Sequence, residues 1–336
     1  MKTLQEYLLI AKEKKIAIGH FNVSSIDGIW AVADAGKELK MPVIVGVSEG
    51  ERDYIGVRQV AQIIKSIREE RDQPIFLNAD HTYSVERVKE AILAGFDSVI
   101  FDGAGLNFEE NVENTKKCVQ FAKEHKSLLG QNILIEGELG YIGKSSKILD
   151  AIPLGAISTK EMMTKPEDAK MFIDMTGIDL LAPAIGNIHG MIRGGDPALN
   201  TDRAKEICDA IPVPIVLHGA SGNTPNDIRK TIEAGAAIVH VSTELRVAYR
   251  AGLMKALAID PDEVSPYKYF KPAKLAMQRV VEEKIKIVLL NAKYGSCLLM
   301  FEDSGKITFP QSRREMKRFQ IWFESLRRLV VFMILK

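Results

Sequence analysis

The residues best suited to chemistry stand where apolar runs end. Residues 74–82 read PIFLNADHT and pass from burial straight into Asp80 and His81. Asp102 lies near the end of a run at 98–104, and Glu136 and Glu138 lie within one at 132–140. His189 sits in GNIHG just past a run at 180–186, His218 in VLHGASG and His240 in AIVHVST. A lone histidine near a strand is ordinarily a satisfied core residue, and His20 and His125 are read that way. Packing alone does not readily account for His81, His189 and His218 at comparable positions. Three imidazoles with an open fourth position make a typical catalytic zinc site. Asp102 and Glu138 add hard oxygen donors on adjacent strands. They suit a second metal, an alternative position of the first, or partners of its ligands. A metal beside a carbonyl stabilises an enolate. That chemistry also needs a proton shuttle, and Asp80 adjoins His81. Neighbouring side chains on a strand point to opposite faces, so both reach one site only where the strand ends and turns.

Two further stretches suit an anion. GASGNTP follows His218 and STELR follows Val241. Small residues let backbone N–H groups approach a phosphate, and serine and threonine hydroxyls add donors. Thr224 and Thr243 are equally readable as helix N-caps. A metal rim and a phosphate cradle on one face are more specific together than either is alone.

Such residues need a scaffold that gathers strand ends. Eight apolar runs, at 16–23, 42–48, 74–80, 98–104, 132–140, 180–186, 214–220 and 237–243, alternate with helical patterns. They are largely apolar on both faces, as buried parallel strands must be. Helical stretches at 84–95 and 224–235 close on Gly95 and Gly235. Eight such units predict an α/β fold, a closed (β/α)8 TIM barrel, whose active sites lie at the C-terminal strand ends. On barrels, phosphate sites follow the seventh and eighth strands. An open doubly wound sheet is disfavoured, because GHFNVSSIDG after the first run does not fit GxGxxG.

The 336 residues exceed an ordinary domain but suit a barrel with an addition. The net charge of +1 argues against a nucleic-acid binder. The three cysteines are scattered, which predicts reduced thiols and a cytoplasmic protein. The N-terminus reads as an amphipathic helix, and no apolar run has the ~18 residues of a membrane span. Residues 141–164 show no clear element, and GKSSK within them is polar. The alternation closes by about residue 291. Residues 292–336 are an extension with a basic cluster (Arg313, Arg314, Lys317, Arg318, Arg327, Arg328) and an apolar end.

The set NADHT, FDGAGLNFEEN, EGELG, AIGNIHG, LHGASG and VSTELR resembles the class II, metal-dependent ketose-bisphosphate aldolases over residues 3–291. That family includes fructose-bisphosphate and tagatose-bisphosphate aldolases. The resemblance implies cleavage of a ketose 1,6-bisphosphate, most simply the fructose compound, to dihydroxyacetone phosphate and glyceraldehyde 3-phosphate. It implies His81, His189 and His218 as ligands of a catalytic Zn2+. It implies Asp102 and Glu138 as the site of a second divalent ion, and Asp80 as proton donor at the cleaved bond's oxygen. Gly190, Gly219, Ala220, Ser221, His240, Val241, Ser242 and Thr243 match positions that bind dihydroxyacetone phosphate, with Asn22 and Ser48 as lesser contacts. A homodimer or homotetramer is implied as well. Three departures stand out. Ala220 replaces a glycine of HGGSG, and Ile238-Val239-His240 stands for the family's Lys-x-Asn. GKSSK replaces a glutamate-bearing loop. Tagatose bisphosphate as substrate, or an altered metal-binding barrel, are the alternatives. A Schiff-base aldolase would need a lysine in the last three runs, and they contain none.

Overall fold

The computed structural model describes residues 1–128, 130–143, 147–152 and 160–289. The expectations for the 292–336 extension, and for the middle of GKSSK, lie outside the described residues.

Each of the eight apolar runs supplies one barrel strand. The strands are β1 (Ile18–Asn22), β2 (Val43–Val47), β3 (Ile75–Thr82), β4 (Ser98–Phe101), β5 (Leu134–Leu139), β7 (Leu180–Pro183), β9 (Ile215–Leu217) and β10 (Ala236–Val241). Two short strands, β6 (Ile148–Leu149) and β8 (Met191–Ile192), pair apart from the barrel. The barrel closes in the order β1-β10-β9-β7-β5-β4-β3-β2, with every pair parallel. Branched side chains on both strand faces are buried, against the helices outside and one another inside.

The helices begin and stop where their sequences allow. Ser84 caps Val85–Ala94 by accepting from the Arg87 N–H, and Gly95 ends that helix at φ 92°. Thr224 caps Pro225–Ala234 in the same way, one of the two readings open to it. Thr243 instead opens the helix Thr243–Ile259, behind Ser242. The N-terminal helix Leu4–Lys14 carries a full capping box from Thr3 and Glu6 and buries Leu4, Tyr7, Leu8 and Ala11.

The last described helix is Pro266–Leu289. It packs on Ile26–Leu39 and on Thr243–Ile259. Its neighbour comes very close at Gly252, where a Cβ would lie 2.8 Å from the Cα of Ala273. Asp34 ties three helices together through Lys274 and through Arg71, the latter at 2.6 Å.

β3 departs from regularity at the point that matters. Its register against β4 shifts between Ala79 and Thr82, and His81 adopts φ 31°. This bulge is the turn that lets Asp80 and His81 face the same space.

Candidate active site

Three elements deliver three imidazoles. His81 comes from the bulge of β3, His189 from the loop after β7, and His218 from the residue after β9. His81 Nε2 lies 3.0 Å from His189 Nε2 and 3.2 Å from His218 Nδ1. The ring nitrogen opposite each convergent one is occupied. His189 Nδ1–H donates to the Gly143 carbonyl at 2.7 Å. His218 Nε2 is 2.7 Å from Glu136 Oε1, and His81 Nδ1 is 2.9 Å from Asp102 Oδ2 and 3.5 Å from Glu138 Oε2. Orienting a ring through its far nitrogen is how proteins present imidazole to a metal.

The surroundings hold these rings firmly. Arg52 is fully buried beneath the β3 bulge. Its Nη1 donates to the carbonyls of Val47 (2.8 Å) and Asp80 (3.0 Å), and its Nη2 to Thr82 Oγ1 (3.0 Å). Asn187 Nδ2 donates to the His218 carbonyl at 3.0 Å. His240 stacks on His20 with ring centres 3.4 Å apart, and lies 3.8 Å from the His218 ring. Asp80 Oδ2 accepts from Asn22 Nδ2 at 2.8 Å, while its Oδ1 is 3.4 Å from His240 Nδ1.

The electrostatics favour a cation among the rings. Burial and neighbouring imidazole charge drive His189 down to about 4 and His240 down to about 3, and push His218 well below its ordinary value. Neutral imidazoles are what ligation requires. Burial also works against a charge on His81, yet Asp80, Asp102 and Glu138 outweigh it and raise that ring to about 10. Burial, then Asp80, raises Glu136 to about 8; burial, then Asp102, holds Glu138 well above the carboxylate range. Burial would lift Asp80 too, but His81 and His240 keep it well below its usual value. Glu138 Oε2 and His240 Nε2 are buried without a hydrogen-bond partner among the described residues, and Asp80 Oδ1 has only the long approach to His240 Nδ1 there. A divalent ion between the three convergent nitrogens fits this donor set and this field of carboxylates.

The cavity above the rings is about 230 Å³. Gly190, Gly219, Ser221, Ser242 and Thr243 line it, as do Asn22, Ser48, Glu49 and Arg246. Two glycines are required by geometry. Gly219 has φ 65° and a Cβ there would lie 2.1 Å from the Ile188 carbonyl oxygen; at Gly190, φ 103°, it would lie 2.9 Å from that of Lys147. Ala220 and Val241 lie outside the lining residues. The Ala220 N–H donates to the His240 carbonyl at 3.1 Å, so Ala220 braces the cradle from within. Ser221 Oγ accepts from the Ser242 N–H (3.1 Å) and the Glu244 N–H (3.4 Å), drawing the two loops together.

His125 is structural as read, its Nδ1–H donating to the Phe121 carbonyl at 2.7 Å. His20 is a buried core residue but stacks directly beneath the site, with Nε2 3.1 Å from Asn78 Oδ1. The sequence reading passed over Glu51, Arg52 and Arg246. The first two belong to the short helix Glu49–Ile55, whose pattern is too brief to stand out. Arg246 lies inside STELR, where a charged residue on a helix is usually only solvated.

Comparison with known proteins agrees with this geometry. The family model for class II fructose-bisphosphate aldolase matches residues 2–293. The "Probable fructose-bisphosphate aldolase" of Bacillus subtilis strain 168 is 37% identical over 287 residues, 84% of this chain and 96% of the relative. The fructose-bisphosphate aldolase of Staphylococcus aureus strain Mu50 is 35% identical with the same coverage. Among solved structures, the YdjI aldolase of Escherichia coli K12 superposes with TM-score 0.71 at 31% identity, covering 86% of this chain and 98% of that one.

Proposed function

This chain belongs to the class II fructose-bisphosphate aldolase family, and on that premise we propose how its cavity works. The activity is that of a carbon–carbon lyase: fructose 1,6-bisphosphate is cleaved reversibly to dihydroxyacetone phosphate and glyceraldehyde 3-phosphate. The family is metal-dependent. We assign the metal as zinc, because three imidazoles and an open position suit that ion. His81, His189 and His218 are its ligands in this reading. Such an ion would supply Lewis-acid charge to the substrate's carbonyl oxygen, onto which the electron pair left at C3 delocalises. Asp102 and Glu138 fix the His81 ring and provide oxygen donors for a second divalent ion.

The chain's own residues do the rest. Gly190, Gly219, Ser221, Ser242 and Thr243 hold the phosphate of the dihydroxyacetone half at the N-terminal end of the helix Thr243–Ile259. Asn22 orients the Asp80 carboxylate through their 2.8 Å bond. Asp80 takes the proton of the C4 hydroxyl as the C3–C4 bond breaks, and returns it in the aldol direction. Residues 1–291 form the aldolase barrel in this proposal and 292–336 a separate extension. We place the protein in the cytoplasm as a homodimer or homotetramer. Among the described residues, no helix is long and apolar enough to cross a membrane.

The observation that carries this reading is the meeting of three ring nitrogens from three separate elements, at 3.0 and 3.2 Å. EDTA is expected to abolish release of dihydroxyacetone phosphate, and zinc to restore it. Borohydride added with substrate should leave the chain's mass unchanged. A trapped covalent adduct would replace the metal mechanism with a Schiff base.

A further inference from the structure

The metal rim and phosphate cradle account for half of the substrate. The other half, released as the aldehyde, must lie toward the lining residues that remain, among which Asn22, Ser48 and Arg246 are joined through Glu51. Among the described residues that line the cavity, Arg246 is the one lysine or arginine, and so the natural partner for a second phosphate. Its guanidinium is already engaged. Arg246 Nη2 donates to Glu51 Oε1 at 2.6 Å.

Glu51 is built into the wall. It is buried, and its other oxygen accepts from Asn22 Nδ2 (3.1 Å), the Ser48 N–H (2.9 Å) and the Ser48 hydroxyl (3.0 Å). A phosphate that drew Arg246 away would leave a buried carboxylate without the countercharge it has among the described residues. It would also enter a cavity lined by a second carboxylate, Glu49. Neutral hydroxyl groups meet no such penalty. Asn22, Ser48 and His240 are suited to them, and His240 Nε2 is buried without a hydrogen-bond partner among the described residues.

We propose that this site also cleaves ketose 1-phosphates whose aldehyde half carries hydroxyls and no phosphate, with the Glu51–Arg246 pair as the determinant. This inference rests on the aldolase reading above. The reaction is redox-neutral. The C3–C4 bond breaks, C3 keeps the electron pair and takes up a proton, and the C4 hydroxyl loses its proton as C4 becomes the aldehyde carbonyl. The products are dihydroxyacetone phosphate and an unphosphorylated hydroxyaldehyde.

The test compares fructose 1-phosphate with fructose 1,6-bisphosphate on the zinc-loaded full chain, reading dihydroxyacetone phosphate through a coupled reductase. We expect kcat/KM values within about tenfold of each other, where a site built to clamp a second phosphate would separate them by roughly 10²-fold or more. Glu51→Gln releases Arg246, so the bisphosphate should then gain on the 1-phosphate by about tenfold, chiefly in KM. A wild-type preference for the bisphosphate above about 10²-fold overturns this proposal and leaves the aldolase reading standing. No dihydroxyacetone phosphate from either ketose, with zinc bound, overturns both. The wild-type ratio decides the matter even where Glu51→Gln fails to fold.

Discussion

Asp80 and His81 are adjacent in sequence and opposed in ordinary strand geometry, yet both reach one cavity. The reconciliation is local. His81 takes a φ of 31°, a conformation that costs about 1–3 kcal/mol in a non-glycine residue. Arg52 holds that turn through the Asp80 carbonyl and the Thr82 hydroxyl. The Asp80–His81 pair could be read from NADHT; its support could not. Among the described residues Arg52 bonds main-chain oxygens and one hydroxyl, and no side-chain pattern announces such contacts. Asp80 lies 3.8 Å from His81 Nε2 and is not one of the three convergent groups. Its loss should therefore strip the proton transfer and spare the metal. For Asp80→Ala we expect kcat to fall by roughly 10²–10⁴-fold. Zinc content, measured by mass spectrometry of the purified variant, should stay at the wild-type level. A variant that loses its zinc along with its rate would make Asp80 a ligand instead of a shuttle.

At the scale of elements, legibility followed burial. The eight barrel strands announced themselves because both faces of a parallel strand are covered, which leaves continuous apolar runs. Gly95 and Gly235 marked helix ends through the same conformational freedom the structure shows, at φ 92° and 132°. What escaped was short or irregular. β6 and β8 have two residues each, too few to show a period. The helix Glu49–Ile55 spans seven residues and carries Glu51 and Arg52 to the cavity edge. The junction of helices around Asp34 was also invisible, because Arg71 and Lys274 are distant in sequence. Burial tends to lift the Asp34 carboxyl, but Lys274 and Arg71 together hold it below its ordinary value. A carboxyl depressed on folding contributes stability that is complete above its unfolded pKa of about 3.9 and is lost as pH falls through its folded value. Asp34→Asn should accordingly cost about 1 kcal/mol at pH 7, a modest figure because the group is partly exposed and screened. The deficit relative to wild type should hold down to about pH 4 and shrink below it, as the unfolded chain and then the folded wild-type carboxyl protonate. Urea melts across that range give the difference directly. A deficit that stays constant with pH would remove the ion pairs as its cause.

At the scale of the whole barrel, the strands close into a ring, and the three imidazoles proposed as metal ligands are spread around it. His81 is separated from His189 by 108 residues and from His218 by 137. Their convergence exists only when the barrel has closed, so the unfolded chain offers no comparable site. An ion that binds the native state alone stabilises it by mass action, about 4 kcal/mol when its concentration is a thousand times Kd. For a chain of this size each kcal/mol moves Tm by about 2–4 °C. EDTA should then lower Tm by about 10 °C, and zinc should restore it more fully than magnesium, which prefers an all-oxygen shell. His189→Ala supplies the control. Its side chain reaches the site from a loop and is braced by one carbonyl, so truncation removes a ligand with little loss of packing. The variant should melt near the wild-type apo temperature and show almost no further response to EDTA. An equal EDTA shift in wild type and His189→Ala would mean that the stabilising ion sits elsewhere. The three imidazoles would then be a packed cluster and no metal site, and the barrel would owe its stability to its apolar strands alone.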